Sequence, residues 1–319
     1  MNKKRGIVIS LFVILAICSV LIGADTQLIQ KLFSGDQLAW VNLLNGRLPR
    51  TVVIILSAAA LSIAGLVMQS LSRNKFISPQ TAGTTDAAAL GVLLSYIVLK
   101  SQSIYVKFGF AFVFAMISSV LFMLLLRKIK FKNIVYVPLI GLMYGALIEA
   151  VMTLLADQFN ARQFLTDLNV GTFSKITFFN STLLVVLIPA LILIIIYAAS
   201  FNIVSVGDDF ARNLGLKPKT ITAIGLLCIA VVSASVFIVV GPLPFLGLII
   251  PNLVSLYYGD NLKKNLFDVA IFGSTFVLLN DIVSRLLIFP YEIPVGVTMG
   301  VSGAIIFLIL IFRRDKKHE

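Results

Sequence analysis

Long apolar runs separated by short polar stretches repeat along the whole chain. A helix that crosses a bilayer needs about 20 mostly apolar residues. Runs of this kind lie near 6–24, 51–71, 83–99, 107–127, 134–156, 181–200, 220–240, 244–258, 267–288 and 295–312. The pattern predicts an all-α integral membrane protein with about ten transmembrane helices, and an even count puts both termini on one side. The eighth run is short and broken by Gly241, Pro242, Pro244, Gly247 and Pro251. At membrane depth, neighbouring protein must satisfy the backbone groups that glycine and proline leave free. This stretch is therefore expected inside the bundle, away from lipid. The longest connections, 25–50, 157–180 and 201–219, are too short for a nucleotide-binding or receptor domain. Residues 1–319 are expected to form a single transmembrane domain, with no internal repeat and no low-complexity linker.

Composition agrees with this reading and charge orients it. Only 13% of residues are charged and mean hydropathy is +1.03, whereas a soluble domain carries about 25% charged residues. A net charge of +12 would suggest nucleic acid in a soluble chain. In a membrane protein it follows from the enrichment of Lys and Arg in cytoplasmic loops. With the N-terminus inside, 18 of the 26 basic residues fall on cytoplasmic segments, including Lys3, Lys4, Arg5, Arg73, Lys75, Lys263 and Lys264. The outer segments hold Lys31, Arg47, Arg50, Lys100, Lys107, Arg162, Lys175 and Arg285. This asymmetry predicts both termini in the cytoplasm. The basic start followed by the 6–23 run also fits a secretory signal, but the run is long for one and no A-x-A-like site follows it. A lipoprotein reading of Cys18 is weakened by Ile17, where a small residue is expected. The stretch is read as a first span. Cys18 and Cys228 both lie in apolar runs and imply no disulfide framework. The only histidine, His318, sits in the charged tail, which leaves no histidine-based metal or haem site in the membrane.

Three features carry chemistry. Arg47 and Arg50 precede the second span and Arg285 closes the ninth, all at the outer edge. They can snorkel to lipid phosphate or bind carboxylates of a partner or an anionic solute. The loop Gly207-Asp208-Asp209-Phe210-Ala-Arg212-Asn-Leu214-Gly215 reads as a short helix with acids in its first turn and glycine at its stop. Its Phe210 and Leu214 form an i, i+4 apolar pair, suited either to folding back on the bundle or to contact with a cytoplasmic subunit. Asp86, Glu149 and Asp281 lie in or at the edge of spans, where ionisable groups are costly and face a cavity or a partner. A proton relay through them would make the chain a stand-alone proton-coupled secondary transporter, or the same carboxylates could serve a membrane-embedded enzyme. Asp281 can instead pair locally with Arg285 at i, i+4. His-Glu-x-x-His, Gly-x-Ser-x-Gly and Walker-type signatures are absent from the sequence.

Arg47-Leu-Pro-Arg-Thr51, Gly65-Leu-Val-Met68-Gln69 with Arg73-Asn-Lys75, and Ser78-Pro79…Gly83 continue into Gly207 to Gly215. After these come Phe245-Leu-Gly-Leu-Ile-Ile-Pro251, Asp281-Ile-Val-Ser-Arg285 and Glu292-Ile-Pro-Val-Gly296. In this order on a ten-span chain, they resemble the iron–siderophore and vitamin B12 permeases of ABC importers. The resemblance implies a type II ABC importer permease fold in the bacterial cytoplasmic membrane, and transport rather than enzymatic activity. It also implies alternating access along a pathway shared with a second permease subunit, driven by two cytoplasmic ATPase subunits that use the ATP and supplied by an extracytoplasmic binding lipoprotein that delivers a ferric siderophore. No cofactor is expected in the permease itself. By the same resemblance Arg47, Arg50 and Arg285 dock acidic residues on the binding protein. The 207–219 loop, with Gly207, Asp208, Asp209, Phe210, Arg212, Leu214 and Gly215, meets the ATPase, and Met68 and Gln69 line or gate the pathway. Most relatives follow Ile-Pro with histidine and place an arginine three residues later; here Asn252, Leu and Val precede Ser255. With Thr84-Thr85-Asp86, this resembles the subgroup importing catecholate-type siderophores, in which two different permease chains commonly pair.

Overall fold

The computed structural model describes residues 3–23, 30–31, 34–100, 103–128, 136–176 and 181–315. Lys130, Lys132, Lys316, Lys317 and His318, with parts of the 25–50 and 157–180 connections, lie outside the described residues. Each predicted apolar run is occupied by a helix. In chain order these are α1 (Lys3–Leu21), α2 (Gln37–Asn42), α3 (Leu48–Ser72), α4 (Thr84–Leu99), α5 (Ile104–Lys128), α6 (Tyr136–Gln158), α7 (Arg162–Leu168), α8 (Leu187–Val206), α9 (Asp208–Asn213), α10 (Pro218–Val240), α11 (Leu246–Tyr258), α12 (Leu262–Leu286) and α13 (Val295–Asp315). Six helical stretches are long and apolar enough to cross a membrane: 37–72, 104–126, 136–158, 182–206, 218–240 and 262–286. The other four predicted runs carry shorter apolar helices, 5–21, 84–99, 246–258 and 295–310. The short helices α2, α7 and α9 occupy connections that the apolar pattern left open.

The helix α3 is the most enclosed of the six and packs against α8, α10, α11 and α12. Its interior is built from small residues, Ser57, Ala58, Ala60, Ser62, Ala64 and Gly65, all buried. Small side chains let helix backbones approach closely where lipid offers no hydrophobic drive for association. The contact with α11 shows how closely: a Cβ on Gly65 would lie 2.1 Å from the carbonyl oxygen of Gly247.

The broken eighth run is packed inside the protein, and Leu246 to Pro251 are all buried. Pro251 has no N–H for the carbonyl of Gly247 one turn earlier, and the Gln69 amide of α3 donates to that oxygen at 3.4 Å and to Leu248 O at 3.3 Å. The other side of α11 is lined by the non-helical 73–83 segment, which runs antiparallel to it. Asn252 Nδ2 donates to Lys75 O at 2.7 Å, Pro79 packs at Gly247, and the Phe245 N–H donates to Gln80 Oε1 at 3.2 Å.

Polar contacts sort the connections into two ends. At one end Arg5 meets Asp268, Arg73 meets Asp208 and Lys75 meets Asp260, joining segments that the charge pattern places inside. At the other, Arg47 reaches Leu21, and Arg50 and Ser174 both reach Glu292, joining segments it places outside. Cys18 and Cys228 are unpaired thiols, the latter fully buried.

Candidate functional site: a layered outer network and an exposed inner helix

The outer arginines are placed by a helix irregularity with a local cause. Pro49 sits in the first turn of α3 and offers no N–H, and the preceding Leu43–Arg47 turn widens to π geometry, continuous with α2 and α3. Arg47 and Arg285 face the C-terminal end of α1, where the last carbonyls have no partner within the helix. Arg47 Nη1 donates to Leu21 O at 2.7 Å and Val20 O at 3.4 Å. Arg285 Nη1 donates to Ile22 O at 2.7 Å and Ser19 O at 3.0 Å, and its Nη2 to Ser19 Oγ at 2.9 Å. Cations at a helix C-terminus also interact favourably with its dipole.

The expected Asp281–Arg285 pair forms, and it is shared. The Asp281 carboxylate is fully buried between Arg285 and Arg50, whose Nη2 lies at 2.8 Å. Arg50 Nη1 reaches both oxygens of Glu292 at 2.9 and 3.0 Å, and Ser174 Oγ donates to Glu292 at 2.6 Å. Two guanidinium groups therefore face two carboxylates, graded outward: side-chain exposure is 5% for Arg285, 14% for Arg50 and 29% for Glu292. Arg50 Nε is buried without an acceptor among the described residues. For Glu292, burial alone would raise the carboxyl pKa. The hydrogen bonds from Arg50 and Ser174 and the charges of Arg50 and Arg285 outweigh that and hold it below the usual glutamate value. The three arginines predicted from sequence are thus brought together, with Arg285 walled in and Arg50 behind Glu292. Glu292 and Ser174 were not singled out for this role, since pairings more than 100 residues apart leave no periodic trace.

At the other end, α9 covers Asp208–Asn213 and stops before Gly215, whose φ of +78° suits glycine. Ala211 points into the bundle while Phe210 and Leu214 are exposed, at 50% and 55%. The fold-back alternative for this apolar pair is therefore not the arrangement seen. Gly207 is extended at the helix start, Arg212 pairs with Asp209, and Asp208 is held by Arg73. Met68 is fully buried and Gln69 nearly so. In this conformation neither faces open space, and Gln69 instead supports the start of α11.

Asp86 lies against α6, where a Cβ on Gly145 would sit 2.6 Å from its carboxylate oxygen. It is within electrostatic reach of Glu149, which is exposed one turn further along α6. Neither carboxylate forms an ion pair among the described residues. Among these residues, no group of three His, Cys, Asp or Glu side chains converges as a metal-binding set.

A bundle of apolar helices with compensated polar layers at its ends defines a multi-pass membrane protein. The chain belongs to the FecCD transport family, whose model matches residues 7–313. It is 42% identical to the petrobactin import system permease protein YclN of Bacillus subtilis (strain 168), over 95% of this chain and 96% of that one. It is 35% identical to the ferric-anguibactin transport system permease protein FatD of Vibrio anguillarum, over 96% and 97% of the two chains. A solved ABC transporter structure in an inward-facing conformation superposes with a TM-score of 0.81, covering 98% of this chain and 100% of that one at 24% identity. The fold is that of a type II ABC importer permease, in a multi-pass protein of the bacterial plasma membrane. Its relatives are transport subunits rather than enzymes.

Proposed function

We propose that the chain is one permease subunit of an ATP-driven importer that carries a ferric siderophore across the cytoplasmic membrane by alternating access. The observation that carries this reading is the likeness to a petrobactin import permease along 95% of the chain, both polar ends included. The working complex contains a second permease subunit, which we take to be a different paralogous chain, and two cytoplasmic ATPase subunits. An extracytoplasmic binding lipoprotein delivers the chelate. In this reading the chain crosses the membrane ten times with both termini in the cytoplasm, an orientation supported by the positive-inside pattern. Catecholate-type chelates are the proposed cargo class.

The geometry supports distinct roles for the residues. An incoming carboxylate of the binding protein reaches Arg50 by displacing Glu292, the most exposed member of the network. Arg285 acts from behind, holding Asp281 and the end of α1 in place. Phe210 and Leu214 supply the apolar contact for the ATPase. Gln69 acts on the pathway through α11, whose first turn it holds.

One observation favours the rival of a proton-coupled transporter working alone, namely that Asp86 of α4 packs against Gly145 of α6, within electrostatic reach of Glu149. Mild-detergent purification from native membranes separates the two. Co-purification of an ATPase, with uptake lost on ATP depletion, is expected. Recovery of the chain without an ATPase, with uptake that survives ATP depletion but stops on proton uncoupling, would exclude the importer reading. Competition among catecholate and hydroxamate ferric chelates in the same uptake assay tests the cargo class.

A further inference from the structure

We infer that the 73–83 segment is a strap through which movement of α9 is delivered to α11, with Arg73 and Lys75 as its two attachment points. The inference rests on the proposed ATPase contact at α9 and adds to it the route inward. Arg73 ends α3 in the left-handed region, at φ +52°, which a non-glycine residue adopts only at a cost. In that conformation its side chain turns to the α8–α9 junction, with Nε donating to Val204 O at 3.2 Å and Nη2 bonded to the Asp208 carboxylate. Asp208 is the first residue of α9, so Arg73 holds the point about which this six-residue helix enters the bundle.

Two residues later the chain is fastened in the opposite direction. Lys75 Nζ lies 2.6 and 2.7 Å from the two oxygens of Asp260 and 3.1 Å from Ser255 Oγ, at the C-terminal end of α11. The Lys75 carbonyl accepts from Asn252 Nδ2 at 2.7 Å, one turn earlier. The segment then follows α11 to its start, where Pro79 packs against Gly247 and the Gln80 side chain accepts the Phe245 N–H. The strap thus touches α11 along its whole length, while Arg73 alone ties it to α9 by a charged contact. Both ion pairs are partly exposed, with 43% and 37% for Arg73 and Asp208 and 38% and 64% for Lys75 and Asp260. Exposed pairs add little to stability, about 0–1 kcal/mol. Pairs so weak yet joined to two separate elements serve position more than stability.

The test measures ATP hydrolysis and siderophore uptake together, in proteoliposomes holding the full complex and its binding protein. Arg73→Gln and Lys75→Met are expected to leave hydrolysis close to wild type. Uptake per ATP should fall roughly fivefold or more, the low end of ordinary coupling effects. Arg73→Lys should recover part of the loss, and Lys75→Asp combined with Asp260→Lys should restore uptake relative to Lys75→Met. Should Arg73→Gln fail to assemble, the Lys75 and Asp260 variants give the reading from the other attachment point. An unchanged uptake-to-hydrolysis ratio in the single variants, or equal losses of both activities, would overturn the strap. A wild-type complex with no ATP-driven uptake would instead overturn the importer reading, and the strap with it.

Discussion

At the scale of single residues, the outer arginines do two jobs with different energetics. Arg285 is buried and bonded to Asp281, Ser19 and Ile22. Removing one partner of a buried pair strands the other charge, at a cost of about 3–5 kcal/mol. Arg50 remains on Asp281, so Arg285→Ala is expected near the lower end, about 3 kcal/mol, read as a lowered unfolding temperature of the purified complex. A change within about 0.5 kcal/mol would mean that Arg285 is an open surface cation after all. Glu292 gives the matching pH test. Its folded pKa lies below the usual 4.5, so its contribution is fully present above pH 4.5 and is lost as pH falls through the lower folded value. Thermal stability of wild type should therefore lose this contribution only below pH 4.5, and Glu292→Gln should remove that acid limb. The same variant frees Arg50 and should tighten association with the binding protein, whereas weaker association would argue that Glu292 itself docks. Sequence alone showed the arginines as a trio and Asp281 with Arg285 at helical spacing. It did not show Glu292 on Arg50, because the two are 242 positions apart and only the fold joins them.

Among the elements, α9 was readable because its signals are local: acids at the start, glycine at the stop, and an i, i+4 apolar pair between. The direction that pair faces was not readable, and the structure turns Phe210 and Leu214 outward. Replacing both with serine should change stability little, by about 0.5 kcal/mol, since neither is packed. ATPase should then be missing from the purified complex. Retained ATPase with normal uptake would remove α9 from the contact. The broken eighth run was legible as an interior element from its glycines and prolines. What sequence could not supply is the partner for each freed group: Gln69 for the Gly247 carbonyl and the 73–83 segment along the other side. Helix limits also moved. The run near 181–200 continues as helix to Val206, and the second span joins α2 through the π turn, because apolar content marks where lipid is met rather than where hydrogen bonding stops.

Across the whole molecule, the segments with most of the positive charge converge at one end through Arg5–Asp268, Arg73–Asp208 and Lys75–Asp260, and the outer segments converge at the other through Glu292. That two-ended convergence was implicit in the charge pattern. The placement of Asp86 against Gly145 was not, since it depends on how α4 packs on α6. The most direct measurement is accumulation of a ferric siderophore in proteoliposomes bearing the purified complex and its binding protein. Accumulation is expected to require ATP and to persist when the proton gradient is collapsed. Accumulation by this chain alone, without ATP and abolished by collapsing the gradient, would contradict it.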